Sequence, residues 1–158
     1  MSSEEVDILL VDDSQDDVDL TLHALRSENL ANHVFIARDG EEALDFIFCS
    51  GPHAHRSFDH PPKLVLLDLK MPKVDGLQVL KQIKDDARTK TIPVVLMTSS
   101  REERDMVSGY NLGVNSYLQK PVDFGNFREM VKLLGLYWLV TNQPPVANGK
   151  TQTAKQGQ

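Results

Sequence analysis

The sequence holds one cysteine, Cys49, among 158 residues. No internal disulfide can form, so the fold must rest on its apolar core, and a reducing cytoplasm is the expected setting. Positive charge is not in excess either: 17 Lys and Arg stand against 23 Asp and Glu, a formal charge of −6 with a pI of about 5.3. A nucleic-acid binder would carry the opposite balance, and no nucleic-acid partner is expected. No apolar run approaches the ~18 residues of a membrane span. Met1-Ser-Ser-Glu-Glu lacks the basic and apolar regions of a secretion signal, so no membrane partner is expected. What is left, 41% apolar and 25% charged, suits one soluble domain with a proper core.

Short apolar runs punctuate the chain: Ile8–Val11, His33–Ala37, Leu64–Leu67, Val94–Met97 and the weaker Ser116–Leu118. Runs this short and this continuous suit parallel strands covered on both faces. Helical spacing fills the gaps: Val18, Thr21, Leu22 and Leu25; Ala43, Leu44, Ile47 and Phe48; Val79, Leu80 and Ile83; Met106, Val107 and Tyr110; and a last helix from about Asp123 to Val140. Ser14 is placed to cap the first helix, with Asp17 three residues on as a weak capping box. The alternation predicts an α/β fold, a doubly wound five-stranded parallel sheet. Residues 1–5 read as a lead, 6–141 as the domain, and the polar stretch 142–158 as a disordered tail. The stretch from Cys49 to Lys63, with His53, His55 and His60, reads as a solvated loop; its histidines lack the partners of a structural zinc site.

Ligands of such sheets sit at the carboxyl ends of the strands. Asp12 and Asp13 follow the first strand and Asp68 ends the third. Unit charges ~4 Å apart repel by roughly 4 kcal/mol at an effective dielectric near 20, so three converging carboxylates call for a cation or a shared proton. Hard oxygen donors favour Mg²⁺. Taken alone, Asp12 and Asp13 equally fit solvated carboxylates at a helix start. Thr98, Ser99 and Ser100 follow the fourth strand and could bind an anion or cap the next helix, and Lys120 follows the fifth. Acid, hydroxyl and ammonium on one sheet edge are what a phosphoryl group would need.

Val11-Asp12-Asp13-Ser14, the stretch Leu66 to Gly76 with its Asp-x-x-Met-Pro-x-x-Asp-Gly pattern, Thr98-Ser99 and Lys120-Pro121 together resemble the receiver domains of two-component response regulators, from about Val6 to Val140. The long loop and Leu136-Tyr137-Trp138-Leu139 resemble, more narrowly, single-domain regulators encoded beside bacterial phytochrome kinases. The resemblance implies that Asp68 accepts a phosphoryl group from a histidine kinase, and the narrower resemblance implies one of phytochrome type. It implies that Asp13, Asp68 and the Lys70 carbonyl ligate Mg²⁺, with Asp12 acting through water. Lys120 would hold a phosphoryl oxygen, Thr98 would move to bond the phosphoryl group, and Tyr117 would swing inward behind it. The Lys120-Pro121 bond is expected to be cis. Lys70 is expected to affect the lifetime of the phosphorylated state.

Competing patterns fit less well. Phosphatases of the haloacid-dehalogenase type carry an acid two residues after their nucleophile, where this chain has Lys70. A nucleotide-binding domain would need a glycine-rich loop where this chain has Asp-Asp-Ser-Gln. A receiver fold used only as a docking adaptor is the remaining alternative, though every acidic, hydroxyl and lysine position is intact. The protein is expected to signal through a surface rather than to be a metabolic enzyme. The last helix shows one apolar stripe at Phe124, Phe127, Val131, Leu134 and Trp138 and another at Met130, Leu133, Tyr137 and Val140. The surplus predicts a homodimer through that helix and the neighbouring strand.

Overall fold

A computed structural model of the chain describes residues 6–26, 33–71, 74–110 and 113–134, with residues 107–110 and 124 by backbone alone. The strands are β1 (Ile8–Val11), β2 (Val34–Ala37), β3 (Leu64–Asp68), β4 (Val94–Thr98) and β5 (Ser116–Gln119). Between and after them come α1 (Gln15–Arg26), α2 (Gly40–Ile47), α3 (Gly76–Asp85), α4 (Arg101–Tyr110) and α5 (Phe124–Leu134). The sheet is parallel in the order β2-β1-β3-β4-β5, as the alternating pattern predicts.

Alternation along each strand sends side chains to two cores. Ile8, Leu10, Leu64, Leu66, Val95 and Met97 pack with residues of α1 and α5, including Val18, Leu25, Phe127 and Val131. Leu9, Val11, Val65, Leu67, Val94 and Leu96 pack with α2 and α3 through Ala43, Phe46, Val79 and Ile83. Covered on both faces, β1, β3 and β4 have no room for polar residues until their carboxyl ends.

Three packing expectations need correction. Met106 is 46% exposed rather than part of a buried face. The first turn of α4 is charged, and among the described side chains of this helix Glu103, only 12% exposed, is the one that turns inward. On α5, Phe127, Met130 and Val131 are buried together while Leu133 is 80% exposed. Positions 127, 130, 131 and 134 lie at i, i+3, i+4 and i+7, one stripe that the two-stripe reading had split. The loop after α2 is not simply solvated. His53 sits edge-on to Phe35 and Phe46, ring centroids 5.2 and 5.1 Å away. Arg56 lies 3.6 Å over the Phe46 ring and donates to the Phe46 carbonyl at 2.7 Å.

Among the described residues no helix is long and apolar enough to cross a membrane. The expected lead 1–5, the tail 142–158, and Tyr137, Trp138 and Val140 of the last helix lie outside the described residues.

Candidate functional site

The sheet order reverses between β1 and β3, and that is where the acids meet. β1 pairs with β3 so that Val11 lies beside Leu67, which sets Asp12 level with Asp68. β3 pairs with β4 so that Asp68 lies beside Met97, and Thr98 falls one step further along. Thr98, the last residue of β4, lies beside Gln119, one step before Lys120. Register alone thus lines up Asp12, Asp68, Thr98 and Lys120 along one edge.

Oxygens of Asp12, Asp13 and Asp68 all lie within 4.8 Å of one another. Asp12 and Asp68 are buried, and Asp13 is exposed. One ammonium answers them: Lys120 Nζ is 3.2 Å from Asp68 Oδ1, 3.2 Å from Asp12 Oδ2 and 2.8 Å from Asp17 Oδ2. Burial raises the Asp68 carboxyl and the Asp12 charge raises it further, while Lys120 pulls it down; it ends pushed up to about 6. Burial acts to lower Lys120, but the Asp17 hydrogen bond and the charges of Asp68 and Asp12 outweigh it, holding the ammonium above its ordinary value. The Lys120-Pro121 bond is cis, as expected.

Asp17 was expected to close a capping box, and here the structure differs. Ser14 Oγ does accept the Asp17 N–H at 3.3 Å. The return bond is not made, because the Ser14 N–H already donates to Asp12 Oδ1 at 3.0 Å and the Asp17 carboxylate turns to Lys120. Ser100, by contrast, does cap α4, accepting the Glu103 N–H at 3.2 Å.

Thr98 Oγ1 is buried and, among the described residues, has no hydrogen-bond partner. Thr98 continues the Val94 and Leu96 side of β4, and Tyr117 packs against that same cluster from β5. The Arg104 guanidinium lies 5.0 Å from the centre of the Tyr117 ring. The side chain of Lys70 is exposed and pairs with Glu103 Oε2 at 3.0 Å. Glu103 also accepts the Ser99 N–H at 2.9 Å. Burial works to raise the Glu103 carboxyl, but Ser99 and Lys70 outweigh it and hold it below its ordinary value. A groove of about 340 Å³ opens beside these residues, lined by Leu69, Lys70, Met71, Asp75, Leu77 and Met106.

The Asp-Gly pair of the motif has a local cause. Asp75 caps α3 reciprocally with Gln78, each side chain 3.0 Å from the other's backbone nitrogen. Gly76 packs on the backbone at the end of β3: an added Cβ would strike the Asp68 carbonyl oxygen and lie 2.8 Å from Leu69 Cα. Pro72 and Lys73 of the motif lie outside the described residues.

Two residues of the site escaped sequence reasoning. Asp17 and Glu103 both stand at helix starts, where an acid is ordinarily read as a cap. The available signal was spacing, since Asp17 lies one helical turn beyond Asp13 and Glu103 lies three residues past Ser100.

Comparison with known proteins agrees with this geometry. Over 140 residues the chain is 38% identical to the response regulator Rcp1 of Synechocystis sp., covering 89% of this chain and 93% of that protein. The structure of the bacteriophytochrome response regulator AtBRR is 49% identical, covers 86% of this chain and 96% of its own, and superposes with a TM-score of 0.79. The Mn²⁺-bound form of Rcp1 is 37% identical, with 88% and 98% coverage and a TM-score of 0.67. Residues 8–132 match the response regulator receiver domain. With acids, hydroxyl and lysine in register on one sheet edge, the chain belongs to the response regulator receiver domain family.

Proposed function

We propose that this chain is a single-domain response regulator whose Asp68 takes a phosphoryl group from the phosphohistidine of a sensor histidine kinase. The observation that carries this reading is the meeting of Asp68, its Lys120 partner at 3.2 Å and the unpartnered Thr98 hydroxyl at one edge of the sheet. An Asp68 carboxylate oxygen forms a bond to phosphorus, the phosphorus–nitrogen bond of the donor breaks, and the imidazole leaves with its electron pair and takes a proton. Lys120 draws charge from the phosphoryl oxygens as it develops. The new group brings charge and acceptor oxygens that recruit Thr98, and Tyr117 follows into the space Thr98 leaves.

The donor set fits a divalent cation. Three carboxylates with oxygens within 4.8 Å of one another face one ammonium. Asp13, Asp68 and the Lys70 carbonyl would hold Mg²⁺, with Asp12 acting through water. Asp12 suits that indirect part because its oxygens are already engaged by the Ser14 N–H and Lys120. Bound there, the ion would neutralise charge on the transferring phosphoryl group.

The similarity to bacteriophytochrome response regulators supports a phytochrome-type kinase as the donor, and with it a cytoplasmic setting. The receiver spans 6–141, with 142–158 as a polar tail. A homodimer through α5 and β5 is supported by Leu133, 80% exposed on α5. Sedimentation at high micromolar concentration tests the dimer, and a monomer with and without phosphoryl analogue refutes it. Acetyl phosphate with Mg²⁺ tests the phosphoacceptor: one phosphoryl group should appear on Asp68 and none on Asp68→Asn. Equal labelling of that variant overturns the reading.

A further inference from the structure

The β4–α4 turn carries a carboxylate that phosphoryl transfer leaves without a role. Ser100 and Glu103 stand three residues apart at the start of α4, and the first half of a capping box is present. In its reciprocal half the glutamate would accept the Ser100 N–H. Here it reaches one residue further: Glu103 Oε1 accepts the Ser99 N–H at 2.9 Å, and both its oxygens lie 3.4 Å from Ser99 Oγ. Glu103 Oε2 meets Lys70 Nζ at 3.0 Å. One carboxylate bridges the residue after Thr98 and the residue two past Asp68.

The two ends differ in strength. The Lys70 side chain is 76% exposed, so its ion pair is screened and weak. Ser99 is exposed too, but its bond at 2.9 Å is short, charge-assisted and made to a carboxylate only 12% exposed, and it involves backbone rather than a long mobile side chain. It fixes the chain directly behind Thr98, whose buried hydroxyl has no hydrogen-bond partner among the described residues. The proposed movement of Thr98 toward a group on Asp68 would carry Ser99, its neighbour in the chain, along with it. A phosphoryl group on Asp68 would also bring negative charge and acceptor oxygens to the sheet edge that this turn borders. Charge arriving on Asp68, two residues before Lys70 in the chain, would draw the Lys70 ammonium and weaken its hold on Glu103.

We propose that Glu103 is a positioning residue that clamps the β4–α4 turn in its resting arrangement, and that its release is part of the switch. The proposal rests on Asp68 being the phosphoacceptor. It differs from helix capping in one measurable way: a cap stabilises both states, whereas a clamp stabilises only the resting one.

The experiment compares the full chain with Glu103→Ala, which removes the acceptor, and Glu103→Gln, which keeps a neutral one. Each is titrated with beryllofluoride in the presence of Mg²⁺. Binding is followed by the Thr98 and Ser99 amide signals, and thermal midpoints are taken with and without the analogue. Half-saturation is expected to fall roughly 5- to 20-fold in Glu103→Ala, the lower part of the usual range of coupling between sites, and by less in Glu103→Gln. Unchanged half-saturation, with midpoints lowered equally in both states, reduces Glu103 to a cap and overturns the clamp. Should Glu103→Ala fail to fold, the same comparison on Glu103→Gln decides. A wild-type chain that ignores the analogue, or Asp68→Asn binding it as well as wild type, overturns the phosphoacceptor reading and the clamp with it. Wild-type binding that the Glu103 variants do not sharpen overturns the clamp alone.

Discussion

Lys120 makes its shortest ion pair with Asp17: Nζ lies 2.8 Å from Asp17 Oδ2 and 3.2 Å from Asp68 Oδ1. The lysine expected to serve the phosphoacceptor is anchored at rest by a helix residue beside it. Asp17→Asn would free the ammonium to settle on Asp12 and Asp68 while removing one negative charge from the pocket. Both changes oppose a divalent cation, and a unit charge ~7 Å away through an intermediate dielectric is worth about 1 kcal/mol. Mg²⁺ affinity, measured by calorimetry, should fall about fivefold. Global stability should change by no more than ~1 kcal/mol, because Asp17 is partly exposed. Unchanged affinity would show that Asp17 only screens the surface.

The Asp68 carboxyl, pushed up to about 6 from an ordinary 3.8, links stability to pH. Between those values the folded chain holds a proton that the unfolded chain has lost. The resulting stabilisation is present below about pH 4 and fades as pH rises through 6, a loss of roughly 3 kcal/mol by neutral pH. Without divalent cations, urea midpoints of the wild type should therefore drop relative to Asp68→Asn between pH 4 and 7. Mg²⁺, by favouring the charged carboxylate, should flatten that difference. Parallel pH profiles of the two chains would contradict the assignment.

Gly76→Ala places a methyl group against the Asp68 carbonyl and Leu69 Cα, neither of which can turn aside as a flexible side chain would. Overpacking of this kind costs ~1–3 kcal/mol, and here it also displaces the acceptor strand. Denaturant melts should show the loss, and phosphoryl labelling of Asp68 should weaken with it. Asp75→Ala is the contrast: it removes only the α3 cap, for about 1 kcal/mol, and labelling should persist.

Thr98→Val keeps the shape of the side chain and removes a hydroxyl that is buried without a partner. The resting fold should gain about 1 kcal/mol in a chemical melt. The same variant should still accept a phosphoryl group but fail to show the amide shifts that accompany it at Ser99 and Tyr117. A loss of resting stability would mean that the hydroxyl has found a partner.

Much of the fold was legible because β1, β3 and β4 are buried on both faces, and such strands have only one way to appear in a sequence. Ile8–Val11 and Leu64–Leu67 are unbroken apolar runs, and the first polar residue after each marks the sheet edge. Asp12, Asp68 and Thr98 were legible for that reason, while Lys120 follows the weaker, half-buried β5 and was legible through its Lys-Pro motif. Helix faces were less so. On α5, Met130 and Leu133 are both apolar and three residues apart, and only packing against the sheet decides that one is buried and the other exposed. Asp17 and Glu103 were hidden by a different ambiguity. An acid in the first turn of a helix is stabilised by the backbone whether or not it has a second task. That second task depends on which side chains arrive from β5 and from the β3–α3 connection, and no local pattern encodes their arrival.

Thr98 ends the strand with a hydroxyl that nothing described in the resting fold satisfies. A buried hydroxyl of this kind would gain a bond from an incoming phosphoryl oxygen without losing one to the protein. That bond would add to the affinity for the phosphoryl group at no cost in resting contacts. The open hydroxyl sits at the end of β4, and sequences selected for maximal resting stability would be expected to erase it.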